Sequence, residues 1–229
     1  MNRLSRVLTW TAVIAVTAGA MCRCSEPEFK QHQEAGYSVA DPIRTLVIQG
    51  GIGRIRVTGG SATVKVAEHQ DYQTTPPTTE HRVIDGTLTL DYRCPDDHCG
   101  VGYDVEVPAA TVVRLANSSG GIVLAGLAAE ITAKTGEGGI RASGLTSATV
   151  DLETTNLGID AKFSAKPTTV RAVTGSGGVF IYVPDRGPYR VSVHSPGGGV
   201  TIEVDEQDDA AGSITASAVN GGVRIRRTG

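Results

Sequence analysis

Residues 113–124 read VRLANSSGGIVL and residues 131–142 read ITAKTGEGGIRA, and the two lines superpose when Gly121 is set over Gly139. The same frame recurs at Gly158, Gly178, Gly199 and Gly222, with separations of 18, 19, 20, 21 and 23 residues. One and three places after each of these glycines, and eight and six places before, stand residues such as Ile140 and Ala142 or Val150 and Leu152. All 24 such places are apolar, in a chain that is 40% hydrophobic. Apolar residues at every second position define a strand with one buried face, because successive side chains of an extended backbone point to opposite sides. Each unit is therefore strand, turn, strand. The intervening residues, among them Ala116, Lys134, Thr201, Glu203, Arg224 and Arg226, face solvent.

A fixed period of about 20 residues is the mark of stacked units that each bury their apolar face only against neighbours. The expected fold is all-β, a solenoid-like stack of two-stranded repeats with like side chains above like. A β-sandwich of hairpins is the alternative, since each five-residue turn could equally reverse the chain. Arg224, Arg226 and Arg227 lie on the last strand of the chain, where outward cations would protect an exposed edge. The turns, such as Asn117–Gly121 and Ser195–Gly199, hold Gly, Ser, Thr, Asn and Pro, residues suited to tight bends. A dinucleotide loop needs a glycine turn opening onto a helix. Here each glycine pair opens onto another strand, so no nucleotide cofactor is expected.

Upstream, Leu46, Ile48, Ile55 and Val57 repeat the two-strand spacing, with Arg54 in place of the anchor glycine, as an end unit might. Residues 63–67, 87–92 and 103–107 alternate as further strands, and Thr74–Thr79 is a surface loop.

Residues 1–21 read as a secretory leader, with Arg3 and Arg6 ahead of the apolar stretch Val7–Met21. Removing it takes two positive charges from a chain of net charge −3 and leaves an acidic protein of −5. Cys22 follows Gly19, Ala20 and Met21 and is the candidate lipidation site, which would anchor the protein to the membrane. Residues 22–40 are polar and pattern-free, a flexible stalk, and residues 41–229 form the β-repeat domain. Outside the cytoplasm, Cys94 and Cys99 are expected as a disulfide, because they flank the turn-like Pro95, Asp96, Asp97 and His98. A metal site from these thiols and His98 is disfavoured in an oxidising compartment.

Composition narrows the function. A pI near 6.0 gives no basic footprint for nucleic acid, and the single Trp10 lies in the leader. The five histidines, His32, His69, His81, His98 and His194, do not fall at metal-ligand spacing, and no GxSxG or HExxH string occurs. No catalytic, cofactor or metal residue is assigned. Asp151, Glu153 and Asp160 project outward within one unit, as paired carboxylates of a carbohydrate-active enzyme on a solenoid would. Phe180 and Tyr182 form an adjacent outward aromatic pair.

Repeated SGG or NGG followed by alternating apolar residues, together with the stretch LTLDYRCPDDHCGVGYDVEVP, resembles the bacterial putative-adhesin domain family of β-strand repeats. The resemblance covers about residues 40–229. It implies an extracytoplasmic, all-β, repetitive domain without known catalysis. The function expected is thus a non-enzymatic exported cell-envelope protein, a lipoprotein or a released form, binding an extracellular polymer or protein at the cell surface. A carbohydrate-active enzyme and a structural or sensory module with a membrane partner are the alternatives.

Overall fold

A computed structural model describes residues 29–228, and the leader and Cys22 lie outside the described residues. Among the described residues there are only strands. Besides β6 (Thr87–Arg93) with β7 (Cys99–Val107), seven pairs of consecutive strands form coils that contribute one strand to each of two facing sheets. They are β2 (Thr45–Gln49) with β3 (Ile55–Gly59), β8 (Val112–Ser119) with β9 (Ile122–Ala125), and β10 (Ile131–Glu137) with β11 (Ile140–Leu145). The series continues with β12 (Thr149–Asn156) and β13 (Ile159–Phe163), β14 (Thr169–Ser176) and β15 (Val179–Val183), β16 (Tyr189–His194) and β17 (Val200–Glu203), and β18 (Gly212–Asn220) and β19 (Val223–Arg227).

Neighbouring coils pair in parallel and in register. Ile140 lies between Ile122 and Ile159 in sheet A, and Ile131 between Val113 and Val150 in sheet B. Hairpins of a sandwich would have paired antiparallel, so the stack is a solenoid, with like residues above like as the repeat predicts. Val113, Ile131, Ile140, Val150, Ile159, Ile181 and Ile225 are all 2% exposed or less. The bends carry a second ladder, of buried polar groups. Asn117, Thr135, Thr154 and Thr174 each donate to a turn carbonyl of the coil beside it, Thr154 Oγ1 to Gly138 O at 2.6 Å and Thr174 Oγ1 to Leu157 O at 2.7 Å. The Asn117 amide and the three threonine hydroxyls satisfy carbonyls that the bend withdraws from the sheet ladders.

Coil order in space departs from the sequence at both ends. Sheet A runs β1-β4-β7-β3-β9-β11-β13-β15-β19-β17 and sheet B runs β16-β18-β14-β12-β10-β8-β2-β6-β5. The new labels are β1 (Gln31–Val39), β4 (Val64–Tyr72) and β5 (Thr78–Ile84). The unit around Arg54 is therefore not the end unit, because β6 and β7 stack outside it. The final strand β19 is no edge either: it lies between β15 and β17, so its arginines do not guard a free edge. The segment after β17 carries the chain back past β16, where Tyr189 N donates to Asp205 O and Gln207 N to Tyr189 O, before β18 enters the stack.

The expected stalk gives way over Gln31–Val39, which pairs antiparallel with β4. Its polarity hid it: mostly exposed, the strand is held by backbone bonds rather than by an apolar face. Strand β5, also mostly exposed, begins inside the expected Thr/Pro loop. These strands close one end of the solenoid, where the Tyr37 ring stacks on His81 with centroids 4.5 Å apart. Cys94 and Cys99 are joined as a disulfide between β6 and β7. At the other end β16 and β17 are free edges, and Val200 is 49% exposed.

Candidate functional site

The outer face of sheet A is decided by the residues that alternate with the core. In-register stacking lines up Arg56, Val123, Arg141, Asp160, Phe180 and Arg224 as one outward row across six strands. Beside that row the anchor glycines form a floor without side chains. A Cβ built on Gly139 would stand 3.2 Å from Gly158 O, one on Gly158 2.7 Å from Gly178 O, and one on Gly222 2.9 Å from Gly199 O. At Gly139, Gly158 and Gly222 the close approach of the neighbouring coil disfavours any side chain, whereas Gly121 and Gly199 have room for one.

Bare floor and outward row together make a trough of about 630 Å³. It crosses β3, β9, β11, β13 and β15, so it is about 19 Å long at ~4.8 Å per strand spacing. Arg54, Arg56 and Arg141 line it against one acid, Asp160. Among the described residues Arg54 and Arg141 make no ion pair, and Arg56 reaches Asp104 at 3.7 Å. One end is closed by Phe180, whose ring sets its edge against Gly178 and has the Arg224 guanidinium 5.6 Å from its centroid. The Oδ1 of Asp160 is buried and has no hydrogen-bond partner among the described residues, with the Lys162 ammonium 4.0 Å away as its ion-pair neighbour.

At the rim stands Leu157, 61% exposed and held at φ +73°. Neighbouring coils have Gly138 and Gly177 at this place. A leucine in the left-handed region costs roughly 1–2 kcal/mol, and this one recovers little of it through burial. Strain kept at an exposed apolar residue beside a concavity marks a site more than a packing device.

The carboxylates proposed from the sequence do not come together. Asp151 and Glu153 lie on sheet B, both bound to Arg171 Nη1 at 2.7 and 3.1 Å, while Asp160 lies in the trough on sheet A. Hydrogen bonding from Arg171, with Lys134 adding its charge at 3.4 Å, holds Glu153 below its ordinary range. The histidines scatter. His32 meets Asp71 at 2.5 Å, His69 lies between Glu34 and Asp104 at 3.4 and 3.5 Å, and His98 turns back to Asp96 O. Among the described residues no three His, Cys, Asp or Glu side chains are grouped to hold a metal. The Tyr182 ring lies beside Lys162, with Nζ 5.2 Å from its centroid.

Sequence reasoning missed one buried cluster. Glu68, 2% exposed in the capped end, accepts from Tyr37 OH at 2.9 Å and from Gln70 Nε2 at 3.3 Å. Burial first, and the Glu68 charge second, raise the Tyr103 and Tyr37 phenols above their ordinary range. A glutamate in the alternating strand VKVAEHQ was the only signal available for it.

Comparison with known proteins bears on the fold. No protein-family model matches the sequence. No curated protein matches it. Among solved structures, a putative cell adhesion protein from Clostridium sporogenes superposes with a TM-score of 0.53 at 13% identity, covering 86% of this chain and 100% of its own. A putative adhesin from Bacteroides fragilis gives 0.48 at 13% identity, covering 88% of this chain and 99% of its own. The resemblance to putative adhesins read from the glycine repeats is thus met again in three dimensions, and this chain shares the β-solenoid fold of the Clostridium sporogenes protein.

Proposed function

We propose that the protein is an exported, non-enzymatic envelope protein that adheres to an external polymer through the outer face of sheet A. The observation that carries this reading is the trough: a smooth floor crossing five strands, walled by arginines in a chain of net charge −3. A long shallow groove suits an extended chain better than a compact substrate. Arg3, Arg6 and the apolar stretch to Met21 support export, and Cys22 supports a lipid tether that would hold the domain at the cell surface. The Cys94–Cys99 disulfide accords with an oxidising compartment. The name of the Clostridium sporogenes structure, a putative cell adhesion protein, accords with the same role.

The non-enzymatic part rests on the carboxylates. A glycosidase needs one carboxyl with a raised pKa as general acid. Glu153 is shifted the opposite way and is tied, like Asp151, to Arg171.

Bacterial cells exporting the protein test the reading by their retention on immobilised extracellular polymers. The pair Arg54→Glu with Arg141→Glu should abolish retention, whereas Arg114→Glu with Lys134→Glu on sheet B should leave it intact. Retention unchanged by the sheet A pair overturns the assignment. Mass spectrometry of the processed amino terminus checks the tether: a diacylglyceryl group on Cys22 is expected, and a free amino terminus upstream of it refutes the anchor.

A further inference from the structure

The trough also carries a chemical signature of what lies in it. Three kinds of group meet there, and each selects a different feature of a ligand. Arg54 and Arg141 present guanidinium groups without carboxylate partners among the described residues. A guanidinium fork pairs best with carboxylate, phosphate or sulfate oxygens. Asp160 Oδ1 presents an acceptor to which nothing within hydrogen-bond distance donates, its nearest cation being Lys162 Nζ at 4.0 Å. An acceptor left unsatisfied is costly, so the site favours a ligand with hydroxyl donors. Phe180 sets the edge of its ring against Gly178 and has Arg224 5.6 Å from its centroid, an aromatic group at the end of the floor.

Only some chemistries satisfy all three. Polyphosphate supplies anions but neither donors nor an apolar face. Neutral glycans supply hydroxyls and apolar ring faces but leave the arginines unmatched. Nucleic acid would ask for several aromatic platforms in the groove, and this one has a single ring. A sugar acid offers a carboxylate, hydroxyl donors and a C–H face in one unit.

Spacing agrees. Arg56 and Arg141 lie two strands apart in the outward row, about 9.5 Å, and Arg224 a further three strands on, about 14 Å. A rigid chain laid along the solenoid axis would meet cations at multiples of the strand spacing. The intervening positions are Val123, Asp160 and Phe180, so anionic and uncharged contacts alternate with cationic ones.

We infer that the trough binds an acidic polysaccharide, a chain of uronic-acid-type sugars, with carboxylates on Arg54, Arg56 and Arg141, a hydroxyl on Asp160 and a ring on Phe180. The inference rests on the adhesive reading of the sheet A face and names its ligand class. Non-covalent binding is all it involves, so no bond is made or broken.

The protein as processed by an exporting host is titrated calorimetrically with three probes: polygalacturonate, the same polymer with its carboxyls reduced to alcohols, and inorganic polyphosphate. Polygalacturonate should bind, about tenfold or more tighter than its reduced form, since a charge-assisted hydrogen bond is worth that much. Arg141→Ala should weaken it about tenfold with thermal stability unchanged, and Asp160→Asn, which replaces one acceptor oxygen by a donor, should weaken it as well. Affinity should fall as salt rises from about 50 to about 500 mM. Equal binding of the reduced polymer, or tighter binding of polyphosphate, overturns the acidic-sugar assignment. If polygalacturonate does not bind while the sheet A pair still abolishes retention of cells, the ligand class falls and the adhesive reading stands. If neither effect is seen, both fall.

Discussion

The order of the last coils can be tested with two methyl groups. In the observed stack, the coil of Gly222 lies inside that of Gly199, so a Cβ on Gly222 would come 2.9 Å from Gly199 O, whereas one on Gly199 would meet nothing within 4 Å. Neither glycine has the positive φ that would strain alanine. Stacking in sequence order would give the reverse, with Gly199 covered and Gly222 at the open end. Gly222→Ala must push a backbone carbonyl in a close-packed ladder, an overpacking cost of about 1–3 kcal/mol. Gly199→Ala meets no such obstacle and restricts only the unfolded chain, a gain of about 0.4–1 kcal/mol. For a domain of this size about 2–4 °C of melting temperature accompanies each kcal/mol. Gly222→Ala should therefore melt about 2–12 °C lower, and Gly199→Ala about 1–4 °C higher. Gly158→Ala, with its Cβ 2.7 Å from Gly178 O, should lose at least as much as Gly222→Ala. Thermal circular dichroism at low protein concentration reads all three. A Gly199→Ala variant as damaged as Gly222→Ala would refute the coil order, and a Gly158→Ala variant as stable as the parent would refute close stacking altogether.

Leu157→Gly should raise the melting temperature, by relief of about 1 kcal/mol of left-handed strain, while weakening polymer binding in the calorimetric assay; a loss of stability would show that the leucine packs. Thr154→Val should cost about 1–2 kcal/mol in urea denaturation, because Gly138 O and Asn156 O both lose their buried donor. Arg171→Ala should move Glu153 up toward its ordinary value of 4.5 in a carbon-detected NMR titration. The sign follows from linkage: a carboxyl lowered in the folded state stabilises above its unfolded pKa, and that share is lost as pH falls through the lower folded value, so the parent should lose more stability on acidification than Arg171→Ala. Tyr103 is shifted upward by burial foremost, so its contribution is present below the unfolded phenol value of 10.0 and disappears as pH rises beyond it. Tyr103→Phe should be less sensitive to alkali than the parent in melts between about pH 9 and about pH 11, and equal sensitivity would contradict the burial of that phenol.

How far the sequence could be read depends on what each residue reports. Ile122, Ile140, Ile159 and Val179 report periodicity, which fixes strands and their inward face, while the choice of coils over hairpins waited on the parallel pairing. The outward row was equally readable once registers were known, since Arg141 and Arg224 stand two places after their anchor glycines and Arg56 two places after Arg54. Its joining into a trough was not, because depth comes from absent side chains, and Gly121, Gly139 and Gly158 read on their own as bends. The thiols of Cys94 and Cys99 were legible because a short loop permits little else. Strand β1 was illegible for the opposite reason: its order comes from backbone pairing with β4, and backbone hydrogen bonds leave no trace in side-chain pattern.

Coil order was the least legible property, and the reason is built into the repeat. Every coil offers nearly the same interior to its neighbours, Val113, Ile131, Val150, Val170 and Ile214 being interchangeable in a core, so the apolar code says that coils stack but not which lies on which. What breaks the degeneracy lies outside the core. On one side the bonds between Tyr189 and the 205–207 segment hold β16 outermost and steer the chain inward to β18. On the other, β1 and β4 on β7, with β5 on β6, cover the coil that encloses β2 and β3. Both the first and the last coil of the chain are thus sandwiched. Fraying in a solenoid starts at the coil with one neighbour, and here that is the pair β16 and β17, whose Val200 is already half exposed. The carboxyl-terminal strand, ordinarily the first to loosen, is locked between two others and keeps Arg224 fixed beside Phe180 at the end of the trough.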